Sequence, residues 1–205
     1  MNAKQHLRYP LAVAIAMLLL PVLGTAQTSS VNQPDLKVGD HWKIERRDAL
    51  TKAVLFSEET TITSVSPSKI EASINAATAS MTPDLTILDS PRFSYDSGYQ
   101  FLRFPLEIGK EWEFKTKWRN NQNGTSGRTQ FDVAVKAVES VKISAGEFDA
   151  YKLEAGGWMN FDAGGSRRVS VTYWYSPKAK AIIRMTWVDR RDDFVSELVD
   201  LSLVP

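Results

Sequence analysis

Between Trp112 and Arg119 the chain alternates without a break: Trp112, Phe114, Thr116 and Trp118 are separated by Glu113, Lys115, Lys117 and Arg119. A period of two puts successive side chains on opposite faces of an extended backbone, so this stretch reads as a half-buried antiparallel strand. Asn120 to Gly127 is a run of turn-forming residues, and Phe131, Val133, Val135 and Ala137 then resume the alternation. The pattern predicts a long hairpin from 111–119 and 128–138. Hardly any helical period occurs elsewhere. Residues 36–205 read as a single all-β domain: a strongly curved antiparallel sheet of about ten strands, curled into an open or half β-barrel.

The chain is organised around Val138–Leu153, which answers to Tyr173-Trp-Tyr-Ser-Pro177. An extended run ends in a tight Ala145-Gly146 corner and a new strand leaves through Phe148, Tyr151 and Leu153. With Ser176–Lys180 as a loop, Tyr175 faces Ala181, Tyr173 faces Ile183, Val171 faces Met185 and Val169 faces Trp187. A turn through Asp162–Ser166 similarly sets Met159 against Val169, Gly157 against Val171, Ala155 against Tyr173 and Leu153 against Tyr175. Cross-strand partners point the same way, so these strands share one apolar face, to which Val199, Leu201 and Leu203 add a fourth. The opposite face carries Trp158, Trp174 and Ile182 among Glu154, Ser170, Thr172, Arg184 and Thr186. Two indoles and an isoleucine on a face expected to be wet call for a cover or a partner. Either the sheet curls, or the N-terminal half folds over, and makes them core, or Trp158, Trp174, Ile182, Glu154 and Arg184 form a contact surface for a ligand or partner.

A short internal repeat supports a duplicated β unit: Leu36-Lys-Val-Gly-Asp-His-Trp-Lys-Ile-Glu45 matches Leu106-Glu-Ile-Gly-Lys-Glu-Trp-Glu-Phe-Lys115 in pattern. Each glycine permits a turn and each tryptophan opens a strand by packing inward. Ile62–Val65 echoes Val138–Val141 further on. Between the copies, Leu55–Val65 and Lys69–Ile74 look like strands, and Ala76–Met81 fits loop or strand. Arg92–Phe104 is rich in aromatics and bracketed by Pro91 and Pro105.

The compartment follows from the first residues. Lys4 and Arg8 precede an unbroken apolar run from Leu11 to Leu20, then Pro21 and the small residues Gly24-Thr25-Ala26. That is the layout of a secretory signal peptide over 1–26, and the run is short for a membrane span, which needs roughly 20 residues. Residues 27–35 read as a flexible tether. The product is expected to be periplasmic or secreted, with no transmembrane segment in the mature form. Losing Lys4 and Arg8 takes the net charge from +1 to −1, a balance that gives no support to nucleic acid as partner. The chain has no cysteine, which excludes disulfides and lipid attachment through a leader cysteine.

Chemistry is hard to assemble from what remains. His41 is the one histidine after the leader, so Cys/His nucleophile pairs and zinc sites of Cys/His composition are excluded. His41 reads as a solvated strand-edge residue. No nucleophile elbow or phosphate-binding glycine loop is present. Paired carboxylates could still act, as in glycosidases, from Glu139, Glu147, Glu154 and the run Asp189–Asp193; that run looks like a self-neutralising, solvated hairpin tip.

Glu139, Ala145-Gly146, Phe148, Ala150-Tyr151-Lys152 and Tyr173-Trp-Tyr-Ser-Pro177 resemble the corner and turn of a broad group of exported bacterial proteins of unknown function. Ser144 stands where that group often has proline, and Lys178-Ala-Lys180 where it often has glycine. More distantly the group is similar to the curved half-barrels that carry lipoproteins or lipids through the periplasm; the likeness concerns shape and supplies no catalytic residue. The combined expectation is a non-enzymatic binding module of the cell envelope, without cofactor or metal, that holds an apolar small molecule, a lipid or an envelope protein. The alternatives are a structural accessory subunit of a surface or secretion complex and a carboxylate-based envelope hydrolase.

Overall fold

The computed structural model describes residues 30–189 and 191–205. The signal peptide expected over 1–26, the first residues of the tether and Arg190 lie outside the described residues. Twelve strands follow one another: β1 (His41–Asp48), β2 (Val54–Val65), β3 (Ile70–Ile74), β4 (Ala77–Met81), β5 (Ile87–Asp89), β6 (Phe93–Tyr99), β7 (Glu111–Asn120), β8 (Ser126–Ile143), β9 (Gly146–Phe161), β10 (Ser166–Ser176), β11 (Ala181–Val188) and β12 (Phe194–Ser202). Each pairs antiparallel with its neighbours in the chain, and β1 pairs with β12, so the sheet closes into a barrel. The expected all-β curved sheet is there; it is closed and has twelve strands, against the about ten expected from strand spacing. Closure satisfies the backbone donors and acceptors that an open sheet would leave on its edges.

The alternation in β7 is obeyed at every position. Trp112, Phe114, Thr116 and Trp118 are buried, the charged residues between them are exposed, and β7 pairs with β8 from Glu111↔Ala134 to Arg119↔Ser126. Along β7 and its partner, apolar residues thus point into the barrel and charges point out, the reverse of a strand that faces lipid. Phe131, Tyr173 and Leu153 are fully buried in the lumen, each burial favouring the fold by about 2–3 kcal/mol.

Towards the corner the covered face of the β8–β9 hairpin changes over, and Ser140, Lys142, Glu147 and Asp149 are left exposed. Tyr151 and Leu153 belong to the luminal core with Trp112, Phe131 and Tyr173. Phe148 and Ala150, on the opposite face of β9, belong to a second core with Trp42, Ile62, Ile70, Ala179, Ile183 and Leu198. The turn is Ser144-Ala145, with Gly146 opening β9 at φ 134°; the expected corner is displaced by one residue.

The predicted registers of the C-terminal strands are corrected by two residues, with the faces retained. Along β9–β10, Met159 meets Arg167, Gly157 meets Val169, Ala155 meets Val171 and Leu153 meets Tyr173. Along β10–β11, Tyr173 meets Met185 and Val171 meets Trp187, while Tyr175 meets Ile182 across a bulge at Ile183. In β12 the inward residues are Phe194, Ser196 and Leu198. Val199 lies on the other face, and Leu201 and Leu203 pack on the second core.

The repeat has a geometric counterpart. Gly39 donates to the Ile62 carbonyl at 2.9 Å and Gly109 to the Val135 carbonyl at 2.9 Å. Ile62 and Val135 donate back to Asp40 and Lys110. Both glycines have positive φ, 98° and 86°, a conformation that favours glycine, and both tryptophans are buried. The second echo does not hold, because Ile62 corresponds in these bonds to Val135 and not to Val138.

The two ends of the barrel differ. The β6–β7 connection folds into one end as a plug: Leu102 and Leu106 are buried, Phe101 packs 4.9 Å from Tyr173 and Phe104 5.3 Å from Tyr175. The Tyr173 hydroxyl donates to the Phe101 carbonyl. Val31, in the stretch expected to be a tether, is tied to Leu106 by two backbone hydrogen bonds of 3.0 and 2.8 Å. The opposite end carries the β1–β2, β3–β4, β5–β6, β7–β8, β9–β10 and β11–β12 turns and is called here the turn end.

Candidate functional site

The five residues singled out on the outer face of β9–β11 do not form one surface. Trp174 pairs with Lys152 and Arg184, and Trp158 lies six residues further along β9, about 20 Å away at 3.3 Å per residue. The Trp174 indole donates to the Glu139 carboxylate at 2.5 Å and packs on the second core. Arg184 lies over its ring at 5.4 Å and pairs with Glu197 at 3.3 Å. Glu154 pairs with Lys152 at 3.4 Å. Ile182 is a correction: the bulge at Ile183 turns it inward, onto the luminal core. Of the two tryptophans Trp158 is the open one, at 51% exposure. Trp174→Ala is therefore expected to cost about 2 kcal/mol, through packing lost against the second core. Trp158→Ala should stay within about 0.5 kcal/mol. Denaturation of the two variants side by side checks this; equal losses would refute the distinction.

The candidate carboxylates are each engaged separately. Glu139 serves Trp174, Glu147 accepts from the Ser140 hydroxyl at 2.8 Å, and Glu154 serves Lys152. Asp189 is a correction to the solvated tip: it is buried, accepts from the Arg191 and Asp192 amides at 2.7 and 2.9 Å, and meets the Trp187 indole and Arg167. Burial works to raise its pKa, but those donors outweigh it and hold it below the usual aspartate value. His41 shares a 2.9 Å hydrogen bond with Thr61. Among the described residues no group of three or more His, Asp or Glu side chains could hold a metal ion.

Two shallow depressions mark the outside. One, of about 420 Å³, lies at the corner between Phe148, Lys178, Leu201 and Leu203. The other, of about 530 Å³, lies between Glu111, Asp132, Lys136 and Glu154. Both open broadly to solvent.

The more distinctive arrangement is at the turn end, and it was not singled out from the sequence. Inward-facing Phe56, Tyr95, Met159, Met185 and Trp187 keep partial exposure there, whereas the luminal residues towards the plug are buried. Arg46 lies on the same face of β1 as Trp42 and Ile44. Its guanidinium sits between the rings of Phe56 and Phe194, at 4.4 and 3.9 Å, with Nε donating to the Ser196 hydroxyl at 3.3 Å. Burial pushes its pKa down to about 10, so it stays charged at neutral pH. Glu58 faces the same lumen from β2; burial raises its carboxyl, with Arg46 acting against that. Arg92 lies over Phe93 at 5.3 Å and Arg167 over Phe161 at 4.9 Å, so three arginines rest on four phenylalanines around this end. The signal was available: a period of two along Trp42, Ile44 and Arg46 places the arginine on the buried face.

No family model and no curated protein matches the chain. Solved structures do. A protein described as exported, with a YmcC-like fold, from Bacteroides fragilis matches at 12% identity and a TM-score of 0.59, covering 85% of this chain and 100% of its own. A protein described as a lipoprotein from Parabacteroides distasonis matches at 14% and 0.62, with the same coverage. The lipoprotein YmcC from Escherichia coli matches at 9% and 0.51, covering 82% of this chain and 85% of its own. At these identities the likeness is one of architecture: the barrel is similar in fold to YmcC and its structural relatives.

Proposed function

We propose that this chain is an exported, non-enzymatic binding module of the cell envelope, which takes an apolar ligand at the turn end of its barrel. The observation that carries this reading is the asymmetry of the lumen. One end is filled by its own Phe101–Leu106 segment, while aromatic and methionine side chains at the other point inward yet keep partial exposure. Ligand sites are concave, mostly apolar and equipped with a few polar groups, and methionine adapts to ligands of irregular shape. The β1–β2 hairpin at this end adds exposed apolar residues, with Leu50 at 88% exposure beside Val54 and Leu55, where an incoming apolar molecule or an envelope partner would first touch. The description of the structural relatives as exported proteins or lipoproteins supports an envelope location.

Native mass spectrometry of the mature protein, purified from its own compartment without detergent, tests the reading. A retained mass in the lipid or metabolite range is expected, and it should disappear when Met185→Glu places a second acid in the lumen. A protein that leaves its compartment empty, and takes up no apolar probe afterwards, would overturn it.

A further inference from the structure

Resting on that reading, we infer that the turn end recognises an anionic amphiphile, with Arg46 as the head-group ligand and the aromatic and methionine side chains of the lumen against its tail. The head is a carboxylate or a phosphate monoester, because a guanidinium offers both the same paired N–H donors.

The geometry of Arg46 carries this. An arginine that points into a barrel normally ends on a carboxylate, since burying an unpaired charge is costly. Here the guanidinium carbon lies 4.4 Å from the centre of the Phe56 ring and 3.9 Å from that of Phe194. Its hydrogen bond uses Nε, towards Ser196. Among the described residues no carboxylate comes within ion-pair distance; Glu58 and Asp192 act on it only through space. Its terminal N–H groups are therefore the part left to meet a ligand. A guanidinium held against two rings and through Nε keeps its terminal N–H donors for a ligand, which suits a planar or tetrahedral oxyanion better than a neutral one.

The surroundings agree with an anion. Arg92, on the β5–β6 turn, acts on Arg46 as a second positive charge and is itself exposed. Like charges held near one another are relieved by an anion between them. Arg167, the third arginine of this end, is already engaged with Asp189 and Asp192 at 3.5 Å each, so it is not counted as a ligand. Glu58 faces the same space and opposes an anion, which sets a limit on the affinity. The apolar part has its place beside the head: Trp187 is stacked on Phe194 at 5.8 Å, and Met185, Met159 and Tyr95 pack on the luminal core from this side.

The test uses the mature chain, stripped of bound material, and four probes with the same twelve-carbon tail below their micelle concentrations: dodecanoate, dodecyl phosphate, dodecyl maltoside and dodecyltrimethylammonium. Affinities are read by calorimetry. At least one anionic probe is expected to bind about tenfold more tightly than the maltoside, the order of one charge-assisted contact, and the ammonium probe more weakly still. Whichever anion binds best separates a carboxylate from a phosphate source. Arg46→Gln should bring the ratio of anion to maltoside affinity to about one, and Arg92→Gln, at an exposed position, should reduce that ratio by about threefold. Arg46→Lys, which keeps the charge and loses the planar edge, should retain part of it and guards against misreading a folding defect. Equal affinity for all four probes would overturn the head-group assignment and leave apolar binding standing. Binding of none would overturn both, as would an affinity confined to acidic peptides.

Discussion

Gly157→Ala is expected to destabilise the domain by about 3 kcal/mol or more, among the larger effects a single methyl group can have. A Cβ at Gly157 would lie 1.9 Å from the Gln130 carbonyl oxygen and 2.7 Å from the Phe131 ring. Neither can give way cheaply. Gln130 is held in the β8 ladder opposite Trp158, and Phe131, fully buried, fills the lumen opposite Gly157. The strain is steric and not torsional, since Gly157 is not in the left-handed region. The neighbouring Gly156 is the control: a Cβ there would have its nearest contact at 3.8 Å, on the Val169 carbonyl, and Gly156→Ala should fall within about 0.5 kcal/mol of the parent. Thermal melts should separate the pair by about 6–12 °C for a domain of this size. Similar melting temperatures would show that β8 and β9 can part at this point and that the close approach is not a constraint.

Asp40→Ala should be nearly as damaging, about 3 kcal/mol, for a different reason. Asp40 is fully buried and gathers three separate parts of the chain: the Lys37 amide at 2.9 Å, the Val204 amide at 2.8 Å and the Lys180 ammonium at 3.0 Å. Without the carboxylate, two amides and an ammonium lose their acceptor together. Lys180 sits at φ 55°, a strained conformation for a lysine, and its ion pair with Asp40 is what favours a lysine over glycine at this position. Burial works to raise the Asp40 pKa, but the two amides and the ammonium outweigh it and leave it below the usual aspartate value. A lowered folded-state pKa contributes stability that is complete above the unfolded value and is lost as pH falls through the folded one. Acid unfolding of the parent should therefore steepen below about pH 4, and Asp40→Asn should be less stable at neutral pH yet less sensitive in that window. Parallel acid titrations for parent and variant would expose the idea as wrong.

How much of this was legible depends on what each residue pattern constrains. Alternation fixes a face, so Trp112 to Trp118 could be placed on the lumen side without knowing anything else. It does not fix how far one strand slides along the next: a shift of two residues keeps every face, which is why Tyr173 was set against Ile183 when its partner is Met185. The bulge at Ile183 has no local signature, and through it Ile182 changed sides. Trp174 and Trp158 look alike in sequence because both lie on the outer face; only the second core, against which Trp174 packs, covers one of them in part. Asp189 was read from its charged neighbours, although its side chain serves the turn and not the solvent. Arg46 escaped notice for the same reason: in Lys43-Ile-Glu-Arg-Arg47 it is one charge among four, and only its parity with Trp42 marks it as inward.

The pairing of His41 with Ser202 has a consequence for time as well as shape. Eleven ladders join strands that follow directly in the chain, and each can zip from its own turn; the last joins the two ends of the domain, and loop-closure entropy and contact order make such a step slow. Until that seam forms there is a curved ribbon with two free edges and no enclosed space. The closed lumen is thus the final product of folding, and a nascent copy keeps two adhesive edges until its first strand finds its last.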